Sequence, residues 1–465
     1  MKLYAAQLDF RGIAEEFSLP TEFPPEVLAE AATVRDRYAS QRRDARDIPL
    51  VTIDPVGSMD LDQAVFIEAT DTGFRVRYAI ADVAAFVEPG SVLEAESFRR
   101  GQTIYLPDEP VRLHPPALSE GEASLLPGVD RPAVLWTFEL DSAAEVIDFH
   151  LERALVRSVA RLDYDGVHED FRNSRLHPSI ELLPEVGRLR EASALRRDAI
   201  NLRLPAQSVS HLADGTYELV VEPRHEVMDW NSEISLLTGM CAGRLMVTHG
   251  TGLLRTLRPA NSDSLAVFRA ESRALGYECP DEQPLGEFLQ TVDATDARGM
   301  AVMREAQKLL RGSGYALVES GDAEVHAGIG GYYSHVTAPL RRLIDRFATE
   351  YCLALCQGSA VPEWASIRAE DVIEAMNRTS TLANNVDRAA LDLTEATVLS
   401  PWVGHNFDAL VLTSDAEREQ SRIFVTDPPV LANCLGAPPQ STATKVSLVR
   451  ADITARDVVF AWPAD

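Results

Sequence analysis

The strongest constraint on the fold is the order in which hydrophobic periods occur along the chain. Short apolar or alternating runs crowd into residues 48–155, where PLVTID, AVFIEA, FRVRYAIADVAAFV and AVLWTFEL read as strands. Thr70-Asp71-Thr72-Gly73 is a hairpin turn between two of them. Helical spacing dominates 160–205, 231–258, 262–312 and 339–400, with one strand at 217–221 after a turn at Asp214-Gly215. Strands mostly before helices predict an α+β fold, a mixed sheet with packed helices, rather than a repeating βαβ sheet. After Pro401 the character changes. FDALVL, RIFVTD, TKVSLVRAD and DVVFAW are short strands at nearly even intervals, which predicts a small five-stranded barrel of the OB type, with a small β-sandwich as the alternative. Residues 1–45 carry helical spacing around Ile13, Phe17 and 27–31, broken by Leu19-Pro20 and Phe23-Pro24-Pro25. The expected division is a small helical element over 1–47, with room for a partial helix-turn-helix, a main body over 48–400, and a terminal barrel over 401–465.

Charge constrains function less than it first suggests. Lys and Arg number 44 against 71 Asp and Glu, a net charge of −27. A partner feels the local field of one cleft rather than the sum over the surface, so an acidic exterior is compatible with a basic channel for nucleic acid. The five cysteines, Cys241, Cys279, Cys352, Cys356 and Cys434, contain no CxxC, which suits a reducing cytosol. Cys352 and Cys356 share a helix face and could bind a metal, but no second ligand pair sits nearby, and core thiols are the plainer reading. No apolar run reaches the roughly 18–20 residues of a membrane span, and MKLYAAQLDF lacks the pattern of a secretory signal. The expectation is a cytoplasmic protein without a membrane association.

The segment TIDPVGSMDLDQA carries the densest chemistry. A strand-like run ends on Asp54, Pro55 and Gly57 allow the chain to turn back, and Asp60 and Asp62 alternate with Met59 and Leu61 so that both point one way if extended. Carboxylates that converge repel by a few kcal/mol per close pair at an effective dielectric of ~20, so such a cluster persists around a cation. All-oxygen ligands select a hard ion, Mg²⁺ or Mn²⁺, suited to phosphoryl chemistry. An exposed acidic loop is the competing reading.

A second segment, YYSHVTAPLRRLIDR, sets Pro339 near a helix start with Thr337 as N-cap. Free N–H groups there, with Arg341 and Arg342, would form an anion site, and an arginine over a phosphate stabilises the charge that develops as a P–O bond breaks. A capped surface helix whose arginines pair with Asp345 is the alternative. Arg188, Arg190, Arg196, Arg197 and Arg203 make one locally basic helix, a solvated face or a track for phosphates. Tyr105 and Tyr164 could stack on bases or be buried core aromatics. The chain has no GxxxxGK[ST] loop, no GxGxxG after a strand, no GxSxG elbow and no HExxH.

These blocks, in this order, resemble the ribonuclease II family of exoribonucleases with an RNB catalytic domain. TIDPVGSMDLDQA is similar to the family's aspartate-rich motif, and YAIADVAAFV follows at the family's distance. TIYLPDEPVRLHPPALSEGEASLLPGVDRP matches the block with Tyr-Leu-Pro, Leu-Ser and Ser-Leu-x-Pro. YSHVTAPLRRLIDRF is similar to the signature that ends in Arg-Arg. The resemblance runs from about 48 to 395, and the barrel opening VGHNFDA is similar to the RNA-binding domain that closes such proteins.

The resemblance implies processive hydrolysis of single-stranded RNA from the 3′ end to 5′-mononucleotides, with Mg²⁺ or, as the alternative ion, Mn²⁺, by a monomer. It assigns Asp54 and Asp60 to the metal, Asp62 to metal and attacking water, and Arg341 to the scissile phosphate. It makes Tyr105 an aromatic on the last bases, and it puts Tyr164, Glu233, Thr337 and Arg342 against RNA. Gln63 stands where the family motif has a second aspartate; its carbonyl oxygen could be a metal ligand with one negative charge fewer. Some forty N-terminal residues are too few for the two cold-shock domains that open many relatives. The alternative function is a catalytically weakened RNB protein that clamps RNA 3′ ends.

Overall fold

In the computed structural model, which describes residues 4–5, 8–196, 199–200, 202, 206–211, 217–222, 224–294, 296–310, 312–318, 323–427 and 429–463, the strand-rich stretch forms one seven-stranded sheet. Its order is Arg43–Asp44, Val146–Arg157, Asp130–Asp141, Gly73–Ala81, Gln63–Ala69, Val51–Asp54 and Ala160–Asp163. The middle strands are antiparallel hairpin neighbours, and the two outermost pairs are parallel, so the sheet is mixed. The predicted turn at 70–73 joins two of its strands, Gln63–Ala69 and Gly73–Ala81.

The alternation along each strand divides the core. Ile53, Val65, Tyr78, Trp136 and Phe138 face one way, onto Val186 of the helix Leu183–Arg196, Ile234 of Glu226–Thr248 and Phe347 of Leu343–Cys356. Ala64, Ala79, Leu135 and Ala154 face the other way, onto Val27 of Pro25–Ala31 and Leu93 of Val92–Arg100. The small residues on this second face let two short helices lie close. Trp136 and Phe138 are wholly buried, and truncating either would cost about 3–5 kcal/mol.

The helix Glu226–Thr248 approaches the segment after residue 331 with almost no space between them. A Cβ on Gly243 would stand 2.6 Å from the Tyr333 nitrogen, and one on Gly239 2.7 Å from the Ser334 oxygen. Two glycines one turn apart therefore let the backbone of the arginine-bearing segment lie directly on this helix.

The terminal strands Asn406–Asp415, Gln420–Thr426, Pro429–Leu435, Asp457–Ala461 and Ala443–Asp452 form a closed barrel in that order. Phe407, Val411, Ile423, Val446 and Phe460 fill its core, which continues into Val386 and Ala390 of the long helix Ala369–Leu399 and Ile13 of Arg11–Glu16. Leu410, Leu412 and Phe424 also join the core of the helices Ser262–Ala274, Leu285–Gln290 and Ala297–Gln307.

Several local expectations change. The N-terminal residues hold two short helices, Arg11–Glu16 and Pro25–Ala31, separated where the prolines break the spacing, while Arg43–Asp44 is drawn into the sheet beside Val146–Arg157. Prolines 20, 24 and 25 limit helix length there. The barrel strand Pro429–Leu435 was not visible in the periodicity. The turn at Asp214-Gly215, together with Arg197 and Arg203 of the basic stretch, lies outside the described residues. Arg190 is buried and donates to the Ala144 carbonyl and Glu145, so it is no part of a phosphate track, while Arg188 is exposed beside the rings of Phe171 and Trp230. Cys352 is buried and all five cysteines are free thiols. No described helix is long and apolar enough to cross a membrane.

Candidate active site

The strand Val51–Asp54 delivers Asp54 to the edge of a cleft of about 480 Å³. Its parallel partner Ala160–Asp163 sets Asp163 opposite Asp54. Asp163 then caps the next helix by accepting from the Gly166 N–H at 2.8 Å, and Tyr164, first in that helix, lines the cleft beside Asp54. Strand register thus explains why an aromatic more than a hundred residues away lies next to the first aspartate.

After Asp54 the chain turns at Pro55–Ser58, where the Ser58 N–H bonds the Pro55 carbonyl and Gly57 takes φ +87°, a left-handed conformation suited to glycine. The return path is clamped from outside. The buried Ser124 hydroxyl accepts from the Leu61 N–H at 3.0 Å and donates to the Met59 carbonyl at 2.6 Å, bracketing Asp60. Leu125 N–H donates to the Leu61 carbonyl, and Arg161 reaches the Ser58 carbonyl. Asp54, Asp60 and Asp62 all line the cleft.

Facing them, Arg341 places its Nε 3.9 Å from Asp62 Oδ2 and leaves 42 % of its side chain exposed. The neighbouring Arg342 does the opposite. It is mostly buried in a two-pronged pair with Asp345, both bonds 2.9 Å, so its guanidinium is committed to structure. The expected helix start near Pro339 is also displaced. The helix begins at Leu343 because Arg342 is extended and bridges to Gln102, and Leu343 N–H donates to the Gly101 carbonyl. Thr337 is therefore not an N-cap. The turn's N–H groups are taken by carboxylates rather than left for an anion: Leu340 donates to Asp62 Oδ1 at 2.8 Å and Ala338 to Asp345 Oδ1 at 2.7 Å.

Burial dominates the electrostatics of the aspartates. Asp54 is pushed up to about 7 by loss of water and next by the charge of Asp60, against the pull of Arg341 and Arg161. Burial also raises Asp60 and, much further, the more deeply buried Asp62, where Arg341 and the Leu340 N–H oppose it. A pair of carboxylates this reluctant to ionise fits a cation that would neutralise it, and an all-oxygen donor set fits Mg²⁺ or Mn²⁺. Among the described residues, however, no three acidic, His or Cys side chains stand close enough to form a complete metal cluster. The fit is to an ion held by one or two carboxylates that keeps waters for a phosphate, the usual Mg²⁺ arrangement.

Gln63 departs most from its expected role. Its amide nitrogen donates to the Thr337 carbonyl at 2.6 Å, and its oxygen accepts from the Tyr78 hydroxyl and, at 3.3 Å, from Ser235 Oγ. Tyr78 is the close donor to that oxygen and itself pairs with Ser235 at 2.8 Å, so both ends of the Gln63 amide are held in a hydrogen-bond network. Tyr105 stands half-exposed at the cleft. Glu233 lies elsewhere: it is buried and lines a separate cavity of about 150 Å³, which shares Ser232 and Leu236 with the cleft.

Sequence reasoning missed the wall formed by the helix Glu226–Thr248, where Asn231, Ser232 and Ser235 face the cleft. Asn231 donates to the Tyr164 hydroxyl at 3.1 Å. The available signal was small polar residues one turn apart in an otherwise apolar helix.

Known proteins with this architecture are consistent with the geometry. The RNB domain family matches residues 42–354, and the RNase II-type exonuclease C-terminal S1 domain matches residues 405–462. Ribonuclease R of Chlamydia pneumoniae is 28% identical over 355 residues, 73% of this chain and 52% of that protein. Ribonuclease R of Chlamydia trachomatis is 27% identical over 433 residues, 89% of this chain and 61% of that protein. The chain thus spans about half to three-fifths of these relatives. By structure it is similar to apo Mycoplasma genitalium RNase R, with a TM-score of 0.85 at 18% identity over 97% of this chain and 77% of that one. It is also similar to yeast Ssd1, a pseudonuclease, with a TM-score of 0.74 at 16% identity over 92% of this chain and 55% of that one. At these identities the two structures speak for the fold.

Proposed function

This chain belongs to the RNB-domain ribonuclease II/R family, and from that premise we propose that it hydrolyses single-stranded RNA from the 3′ end to 5′-mononucleotides with a divalent metal ion. The observation that carries this reading is the half-exposed Arg341 guanidinium 3.9 Å from the buried Asp62 in the cleft that Asp54 and Asp60 line. Asp54 and Asp60 would hold the ion. When bound, it supplies positive charge to a phosphate oxygen and acidifies a water.

In this reading Asp62 orients the attacking water from a position fixed by the Leu340 N–H. Arg341 leaves Asp62 to rest on the scissile phosphate, where charge builds as the P–O bond breaks. Tyr105 stacks on a base near the 3′ end. Tyr164 is held by Asn231 to meet a nucleotide at the rim. Arg342 and Thr337 shape the turn beneath the strand. Residues 48–400 act as the catalytic body, 401–465 as an RNA-binding barrel, and 1–47 as a small element packed on the body. The protein works as a cytoplasmic monomer on one RNA strand.

A weakened, RNA-clamping protein is favoured by one observation: the neutral amide of Gln63 beside Asp62. The test is cleavage of 5′-labelled single-stranded RNA with Mg²⁺ or Mn²⁺ by wild type and Asp62→Asn. A ladder that runs to a short limit product, absent in the variant, supports the nuclease. Tight RNA binding by wild type without mononucleotide release overturns it in favour of the clamp.

A further inference from the structure

The cleft contains one polar group whose partners suit none of the roles above. We infer that Gln63 is a positioning residue: its amide holds the turn that carries Arg341 in register with Asp62. This rests on the nuclease reading for its consequence in turnover, but not for its geometry.

Two ties cross the same gap between the start of the strand Gln63–Ala69 and the turn. Asp62 Oδ1 takes the Leu340 N–H at 2.8 Å, and Gln63 Nε2 donates to the Thr337 carbonyl at 2.6 Å. Consecutive residues thus grip points three residues apart, on a segment some 275 residues further along the chain. The turn is also tied to Asp345 and to Gln102 and Thr103, so what the grip from 62 and 63 sets is its register against the aspartates.

The chemistry at the tip of residue 63 is also specific. The group must donate to a carbonyl on one side and accept from hydroxyls on the other. Tyr78 and Ser235, themselves 2.8 Å apart, supply those hydroxyls, from the next strand and from the helix Glu226–Thr248. An amide meets both demands in one planar group, and its orientation is fixed, since the flipped amide would set oxygen against the Thr337 oxygen. A carboxylate of the same length would keep the hydroxyls but face that carbonyl with negative charge. An aliphatic side chain would leave the Thr337 carbonyl without its donor and the paired Tyr78 and Ser235 hydroxyls with one proton unaccepted. The site therefore places a neutral brace, not a ligand, beside its most buried aspartate.

The test uses the full chain with Gln63→Leu and Gln63→Glu, read three ways. Mn²⁺ affinity without RNA, by calorimetry, should stay within about twofold of wild type in Gln63→Leu, because no ligand is lost. Amide exchange, followed by mass spectrometry, should speed up in the peptide containing Leu340 for both variants. Turnover on labelled RNA should show kcat lower by about 10–100-fold with KM little changed, as for a supporting contact behind a reacting group. Tyr78→Phe retains the Thr337 tie and should leave exchange at Leu340 as in wild type.

A loss of Mn²⁺ affinity of about tenfold or more in Gln63→Leu would make Gln63 a ligand and overturn the inference. Unchanged exchange at Leu340 in both variants would overturn it equally. If Gln63→Leu does not fold, the isosteric Gln63→Glu carries the exchange measurement. Failure of wild type to cleave RNA would remove the proposed function, while the exchange and Mn²⁺ measurements would still decide the role of Gln63.

Discussion

Replacing Asp54 with Asn should make the metal-free protein more stable while abolishing metal-dependent turnover. Asp54 ionises only at about 7 because burial and then Asp60 disfavour its charge, against 3.8 in an open chain. The native state therefore holds a proton that the unfolded state releases, and ionisation costs native stability as pH rises from 3.8 to about 7, with the full cost present above. At about 1.4 kcal/mol for each tenfold change in proton affinity, the total is about 4 kcal/mol. More than a third of it is already incurred at about pH 5, so about 2–3 kcal/mol should accrue between pH 5 and 8. Asn carries no charge and escapes this term. The assay is urea unfolding in chelator at both pH values, followed by fluorescence of Trp136 and Trp230, which share a buried core with this sheet. The stability of Asp54→Asn relative to wild type should rise by about 2–3 kcal/mol from pH 5 to 8. Mn²⁺ at about a hundred times its Kd should restore about 2.7 kcal/mol to wild type and none to the variant. A gap that stays flat or narrows with pH would refute the account of a destabilised carboxylate waiting for a cation.

Other groups of the site give further tests. Arg341→Lys keeps the charge but loses the planar fork, so single-turnover cleavage should slow by about 10²–10³-fold with RNA affinity little altered in a filter-binding assay. Ser124→Ala leaves the Leu61 N–H without its hydroxyl partner. Unfolding should show a loss of about 1–3 kcal/mol, and calorimetry weaker Mn²⁺ binding as Asp60 loosens. Tyr105→Ala removes a half-exposed ring at the cleft. Limit products on a sequencing gel should lengthen, since a stacked base contributes about 1–3 kcal/mol.

Much of this architecture is set by neighbours close in sequence. The alternation of Val65, Ile67 and their partners dictates strands with two buried faces, and Pro55 and Gly57 dictate a return of the chain after Asp54. The same local logic yields the terminal barrel from its short, evenly spaced strands. Asp54, Asp60, Asp62 and Arg341 could be singled out because an aspartate at a strand end and paired arginines after a proline are local patterns with a known chemistry, although the helix start expected at Pro339 is a turn.

The tertiary structure decided what each group is free to do. Residue type and spacing do not separate Arg341 from Arg342, and only the resemblance set Arg341 apart; in the structure one faces the cleft and the other is spent on Asp345. Gln63 looks like a spare ligand until Thr337, Tyr78 and Ser235 occupy its amide. Glu233 belongs to the same helix as Ser235 but lines a different cavity. The reason is physical. Backbone preference and turn geometry depend on a few adjacent residues, whereas desolvation and hydrogen bonding depend on partners such as Leu340, which meets Asp62 across 278 positions of chain.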